Sequence, residues 1–118
     1  MPKSNGHYST CIEHNGLLYV SGQLPIDTNT GVIPKSVEEQ TDLVLQKLLV
    51  IVNEAGSSLE NIIQVRIYLS DIELWSRVNE RYASFFKKHK PVRCVVPTKK
   101  LHYNCLIEME IIAVTNSK

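Results

Sequence analysis

Apolar and polar residues alternate near the end of the chain, where Cys105, Ile107, Met109, Ile111 and Ala113 fall on one side of an extended backbone. Glu108 and Glu110 fall on the other, so residues 105–114 read as a strand with one apolar face. The same period recurs upstream. Ile63, Val65, Ile67 and Leu69 share one side, and Gln64, Arg66 and Tyr68 share the other. Near the start, residues 8–13 and 17–21 flank Asn15-Gly16, the dipeptide favoured in a tight type I′ hairpin turn, and Gly22-Gln23-Leu24-Pro25 ends the second strand. Asp27-Thr28-Asn29-Thr30-Gly31 reads as a turn, with room for a short third strand beside it.

Two segments change to a helical period. Val37, Val44, Leu48, Ile51, Val52 and Ala55 form one stripe, with Thr41 filling it. Ser36-Val37-Glu38-Glu39 is a capping box in front and Gly56 a stop behind, which predicts a helix over 37–55. Ser70-Asp71-Ile72-Glu73 repeats the box before Leu74, Val78, Tyr82, Phe85 and Phe86, a second helix predicted to run to about Lys90, ahead of Pro91. Residues 92–96 complete the strands. The order ββ(β)αβαββ, with apolar stripes on both helices, calls for one sheet face to cover them: an α+β domain of two layers.

At 118 residues and 43% hydrophobic content, the chain fits a single domain over 1–118 with a real core. Thirteen basic and twelve acidic residues leave a net charge of +1, without the basic face a nucleic-acid binder shows, so no nucleic-acid partner is expected. Lys87-Lys88-His89-Lys90 and Lys99-Lys100 read as solvated faces or a helix C-terminus. Cys11, Cys94 and Cys105 are odd in number and form no C-x-x-C pair, which argues against a disulfide framework and against a zinc site. Residues 1–6 carry no apolar run after Lys3, and no segment is long and apolar enough to span a bilayer, so no leader or membrane partner and a reducing, cytoplasmic setting are expected.

The candidate chemistry lies in Pro91-Val92-Arg93-Cys94 and in Glu108 and Glu110. Carboxylates inside an apolar strand need a charge or hydrogen-bond partner against desolvation, and Arg93 is the natural candidate, in a site able to hold a small anion. Cys11 and Cys94 read as small buried hydrophobes, and Tyr82 as a packing aromatic with a bonded hydroxyl. Arg66, Tyr68, Glu108 and Glu110 make their sheet face too mixed for a core, and a second subunit completes such a face in many small domains. A homo-oligomer is therefore expected.

Five ordered segments carry a resemblance: Gly6-His7-Tyr8, Tyr19-Val20-Ser21-Gly22-Gln23-Leu24-Pro25, Val78-Asn79-Glu80-Arg81-Tyr82, Pro91-Val92-Arg93, and Ile107-Glu108-Met109-Glu110-Ile111-Ile112-Ala113. In this order the chain resembles the Rid (reactive intermediate deaminase, YjgF-like) family over nearly its whole length. The resemblance implies a chorismate-mutase-like domain, a mixed sheet with two helices on one face, assembled as a homotrimer with clefts between subunits. It also implies hydrolysis of 2-imino acids such as 2-iminopropanoate and 2-iminobutanoate, and of their enamine tautomers, to 2-keto acids and ammonia, without metal or organic cofactor. Carried onto this sequence, Arg93 is the carboxylate-binding arginine and Glu108 the glutamate that positions water. Tyr8, Ser21, Gly22, Asn79 and Cys94 join Arg93 in contacting the substrate. The chain departs from the family pattern at His7, where many members have proline, at Val95, where many deaminating members have cysteine, and at 97–102, which lack the usual Leu-Pro step.

Two other functions compete. The same cleft can serve a non-catalytic module that binds a keto or amino acid and reports it to a partner. Some relatives are described as ribonucleases or translation inhibitors, an activity that the near-neutral charge disfavours.

Overall fold

The computed structural model describes residues 6–115. Residues 1–5, on which most of the leader expectation rests, and 116–118 lie outside them. The chain forms β1 (Cys11–His14), β2 (Leu17–Gln23), α1 (Val37–Glu54), β3 (Ile62–Leu69), α2 (Trp75–Phe86), β4 (Val92–Pro97) and β5 (Ile107–Val114). One mixed sheet runs in the order β1-β2-β5-β3-β4, antiparallel throughout except for the parallel β3–β4 pair. Both helices contribute to a single core against one sheet face. The two-layer α+β architecture is the one the hydrophobic pattern called for. Among the described residues no helix is long and apolar enough to cross a membrane.

Local chemistry explains the elements. Asn15 (φ 53°) and Gly16 (φ 80°) both adopt the left-handed backbone that a type I′ turn requires. Ser36 Oγ accepts from Glu39 N at 3.1 Å and starts α1. The return half of the box differs from expectation, because the Ser36 hydroxyl itself, rather than its backbone amide, donates to Glu39 Oε1. Gly56, at φ +85°, donates to Asn53 O while Ser57 N donates to Val52 O, the paired Schellman bonds that end α1. Val37, Thr41, Val44, Leu48, Ile51 and Val52 are all buried, and Thr41 Oγ1 is satisfied by Val37 O at 2.7 Å.

Several boundaries correct the expectations. The second box is not used as a box: Asp71, not Ser70, accepts from Glu73 N and opens a single 3₁₀ turn (Ile72–Leu74) ahead of α2. α2 ends at Phe86 rather than near Lys90, because Lys87 turns to φ 58° and donates its amide to Ala83 O. Residues 24–36 contain no strand; the Asp27 carboxylate instead gathers the amides of Asn29 and Thr30, and Lys47 Nζ from α1 donates to the carbonyls of Leu24 and Ile26. In β3 the register slips between Ile62 and Gln64, so Ile62 is buried and Ile63 is turned outward at 41% exposure. β5 begins at Ile107, two residues later than expected, although Cys105 is still buried.

Candidate functional site

Arg93 sits in the edge strand β4, in register with Val65 of β3, which is itself in register with Ile111 of β5. Registered residues project to the same side, so Arg93 extends over the helix-covered face. There its guanidinium lies over the rings of Trp75 (4.7 Å to the centroid) and Tyr82 (4.9 Å), and its Nη1 donates to Asn79 Oδ1 at 3.1 Å. Trp75, Asn79 and Tyr82 stand at helical spacings of four and three on α2, which puts them on one face beneath the arginine. Arg93 is exposed, yet it is a held guanidinium rather than a free one. One of its five N–H groups is engaged by Asn79, and the others are available to an acid.

Tyr82 departs from expectation. It is 6% exposed, and its hydroxyl is buried without a hydrogen-bond partner. Burial pushes its pKa up, opposed by the Arg93 charge. An unbonded buried hydroxyl costs about 1–3 kcal/mol. The stacking of Trp75 and Tyr82 on Arg93 was missed from sequence, although the Trp75-Asn79-Tyr82 spacing on a helix leading into an arginine-bearing strand was the available signal.

The second group of predicted residues lies on the opposite side of the sheet. Glu108 is in register with Tyr68 of β3, which pairs with Val96 of β4; Glu110 is in register with Arg66, which pairs with Cys94. These positions form part of the open face. Tyr68 donates its hydroxyl to Glu110 Oε1, and that bond raises the tyrosine pKa to about 12. Glu110 is thus fixed structurally. Glu108 is half-buried, and no hydrogen bond reaches its carboxylate among the described residues. Burial raises its pKa, with His102 pulling it down and Glu110 adding to the rise.

A register slip in β2 between Val20 and Gln23 presents Gly22 to this carboxylate. A side chain at Gly22 would come within 3.2 Å of Glu108 Cδ and closer still to Oε2. Gly22→Ala is expected to push the Glu108 carboxylate aside, since the end of that flexible side chain is all the new Cβ meets, and so to lower turnover while stability changes little, checked by thermal unfolding alongside turnover. Ser21 secures the same corner: its amide donates to Thr10 O and its hydroxyl to Ser9 O at 2.6 Å, which draws the segment carrying Tyr8 alongside. Tyr8 is 51% exposed.

The structure therefore gathers Arg93 with Asn79, and Ser21 and Gly22 with Glu108, but not all of them together. Arg93 is not the partner of the strand carboxylates in its own chain; Arg66 and Tyr68 occupy the registered positions, because β4 turns Arg93 to the helix side. Cys94 is exposed on the open face rather than buried, and Cys11 is half-buried. Ile12 (57% exposed), Tyr19 (42%) and Val92 (68%) give one end of that face an apolar character.

The family model described as Endoribonuclease L-PSP, the YjgF/RutC family, matches residues 1–115. This chain belongs to the YjgF/RutC (Rid) family. A RutC family protein of Pyrococcus abyssi is 41% identical over 113 residues, spanning 95% of this chain and 89% of the relative. Among solved structures, the Rid family protein YyfA of Yersinia pestis superposes with a TM-score of 0.93 at 36% identity, covering 97% of this chain and 92% of the other. Escherichia coli TdcF, solved with bound serine, gives 0.92 at 32% identity, covering 98% and 93%. Membership of the Rid family agrees with the ordered segments from which the resemblance was read.

Proposed function

We propose that this protein hydrolyses 2-imino acids and their enamine tautomers to 2-keto acids and ammonia, in sites shared between copies of the chain. The observation that carries the proposal is the poised pair of groups: a guanidinium held flat by Trp75, Tyr82 and Asn79, and a half-buried glutamate whose carboxylate receives no hydrogen bond and whose pKa is raised. Arg93 grips the substrate carboxylate through its planar fork, and such charge-assisted pairs are among the strongest hydrogen bonds available. Glu108 accepts a proton from the attacking water as its oxygen joins the carbon of the protonated imine. The carbinolamine so formed receives that proton on nitrogen and expels ammonia while its hydroxyl proton passes to Glu108, leaving the ketone; ammonia carries that last proton away as ammonium. A raised pKa suits a carboxylate that takes and returns a proton near neutral pH.

Because Arg93 and Glu108 project from opposite faces of one sheet, a small molecule gripped by Arg93 meets Glu108 from another copy. The mixed open face is the surface for that contact, and the homotrimer implied by the resemblance is the assembly proposed. Binding without catalysis is the second candidate, favoured by the serine bound to TdcF.

The test is an imine-trapping assay. A pyridoxal-phosphate dehydratase generates 2-iminobutanoate from threonine in the presence of semicarbazide. The protein is expected to divert flux from the semicarbazone to the keto acid. Tight keto-acid binding with no change in flux would establish the binding module instead.

A further inference from the structure

We infer that the cleft beside Arg93 is a subsite for a second acidic group, so that the preferred substrates are dicarboxylic 2-imino acids. The inference rests on Arg93 as the ligand of the first carboxylate. The cleft has a volume of about 390 Å³, within the range of about 300–1,000 Å³ usual for small-molecule sites and more room than a three- or four-carbon monoacid needs. Arg93, Lys87 and Lys90 line it, and no acidic side chain does. Lys87 is the residue that caps the C-terminus of α2, with φ 58°, and Lys90 follows it on the loop toward β4. His89 anchors the same loop, with Nε2 donating to Ile62 O at 2.6 Å.

Tyr82 is the independent observation. Its side chain lines the cleft, more than nine-tenths buried, with a hydroxyl that no described residue satisfies. The Arg93 guanidinium covers its ring. With the first carboxylate on the held guanidinium, a second one entering the cleft takes the hydrogen bond that the hydroxyl has to give, in a field set by Lys87 and Lys90. A monoacid leaves that hydroxyl unbonded.

Calorimetry on the assembled protein at low salt tests this with 2-oxoglutarate and 2-oxobutanoate. The dicarboxylate is expected to bind at least about tenfold more tightly, the effect of one added hydrogen bond to a charged group. Tyr82→Phe is expected to remove about tenfold of the dicarboxylate affinity, while the thermal midpoint of the free protein stays level or rises; a purely structural tyrosine would lower it. In the double variant Lys87→Gln/Lys90→Gln, the ratio of the two affinities is expected to fall toward one and the salt dependence of dicarboxylate binding to flatten. Equal wild-type affinity for the two acids, or an equal loss of both in Tyr82→Phe, would overturn the second-acid subsite. If binding of both still vanishes in Arg93→Ala, the role of Arg93 survives that result; if neither acid binds the wild type, both proposals fall.

Discussion

Replacing Arg93 with alanine is expected to abolish 2-imino acid turnover, a loss of at least about a thousandfold in kcat/KM, while the thermal midpoint shifts little. The size follows from what the guanidinium does. It supplies the charge-assisted grip on the acid and fixes the imine carbon relative to water; well-oriented intramolecular models place the full benefit of such positioning at about 7–11 kcal/mol. A thousandfold loss is roughly 4 kcal/mol, well inside that range. Stability is largely spared because Arg93 is exposed, and its stacking on Trp75 and Tyr82 is worth only about 0.5–1 kcal/mol at such a site. Arg93→Lys is expected to restore only part of the activity, since a lysine ammonium lacks the planar fork that meets both carboxylate oxygens. Trapping kinetics on each variant, read beside thermal unfolding, checks the result. Wild-type turnover in Arg93→Ala would remove the arginine from the mechanism.

Glu108→Gln is expected to lower kcat/KM by about 10²–10⁴, the usual contribution of a positioned proton acceptor. The pH profile makes the test specific. Burial raises the Glu108 pKa, so the ionised, working form is lost on acidification at a higher pH than for an ordinary glutamate. Wild-type activity should fall with pH along an acid limb lying above the normal glutamate range, and the variant should lack that limb. Stability moves in the complementary sense. A carboxyl with a raised folded pKa binds its proton more tightly in the folded state, so its penalty is absent below the unfolded pKa and grows as pH climbs to the folded value. Glu108→Gln is therefore expected to be slightly more stable than wild type at neutral pH, with the advantage fading in acid. Retention of the acid limb in the variant would assign proton transfer to another group.

Much of the fold was legible because the decisive signals are local. Asn15-Gly16, Ser36 with Glu39, and Gly56 act through backbone dihedrals or caps that their residue types specify. The alternation in residues 107–113 assigned both faces of β5 correctly, since its apolar side chains and its carboxylates have opposite solvation requirements. The slip in β3 was not legible: Ile62 and Ile63 are chemically identical, and only pairing with β5 decides which is buried. Nor was the end of α2, because a lysine at positive φ leaves no mark in composition.

The candidate site was read as a residue list, and its geometry was hidden for a related reason. Val92, Cys94, Val95 and Val96 give β4 no alternation, so nothing in that strand told which face Arg93 would take. Parallel pairing with β3 decided it and separated Arg93 from Glu108. The pairing of Tyr68 with Glu110 likewise singled out Glu108 as the carboxylate left without a hydrogen bond, a distinction two glutamates on one strand face do not reveal.

The shared site is tested most directly by co-expressing Arg93→Ala and Glu108→Gln under different tags and isolating oligomers that carry both. With Arg93 from one copy meeting Glu108 from its neighbour in a closed ring of three, every trimer that carries both variants has about a third of its sites with both native groups. Turnover near a third of the wild-type value is the expected result. Mixed oligomers no more active than the two parent variants would contradict a site built from two chains.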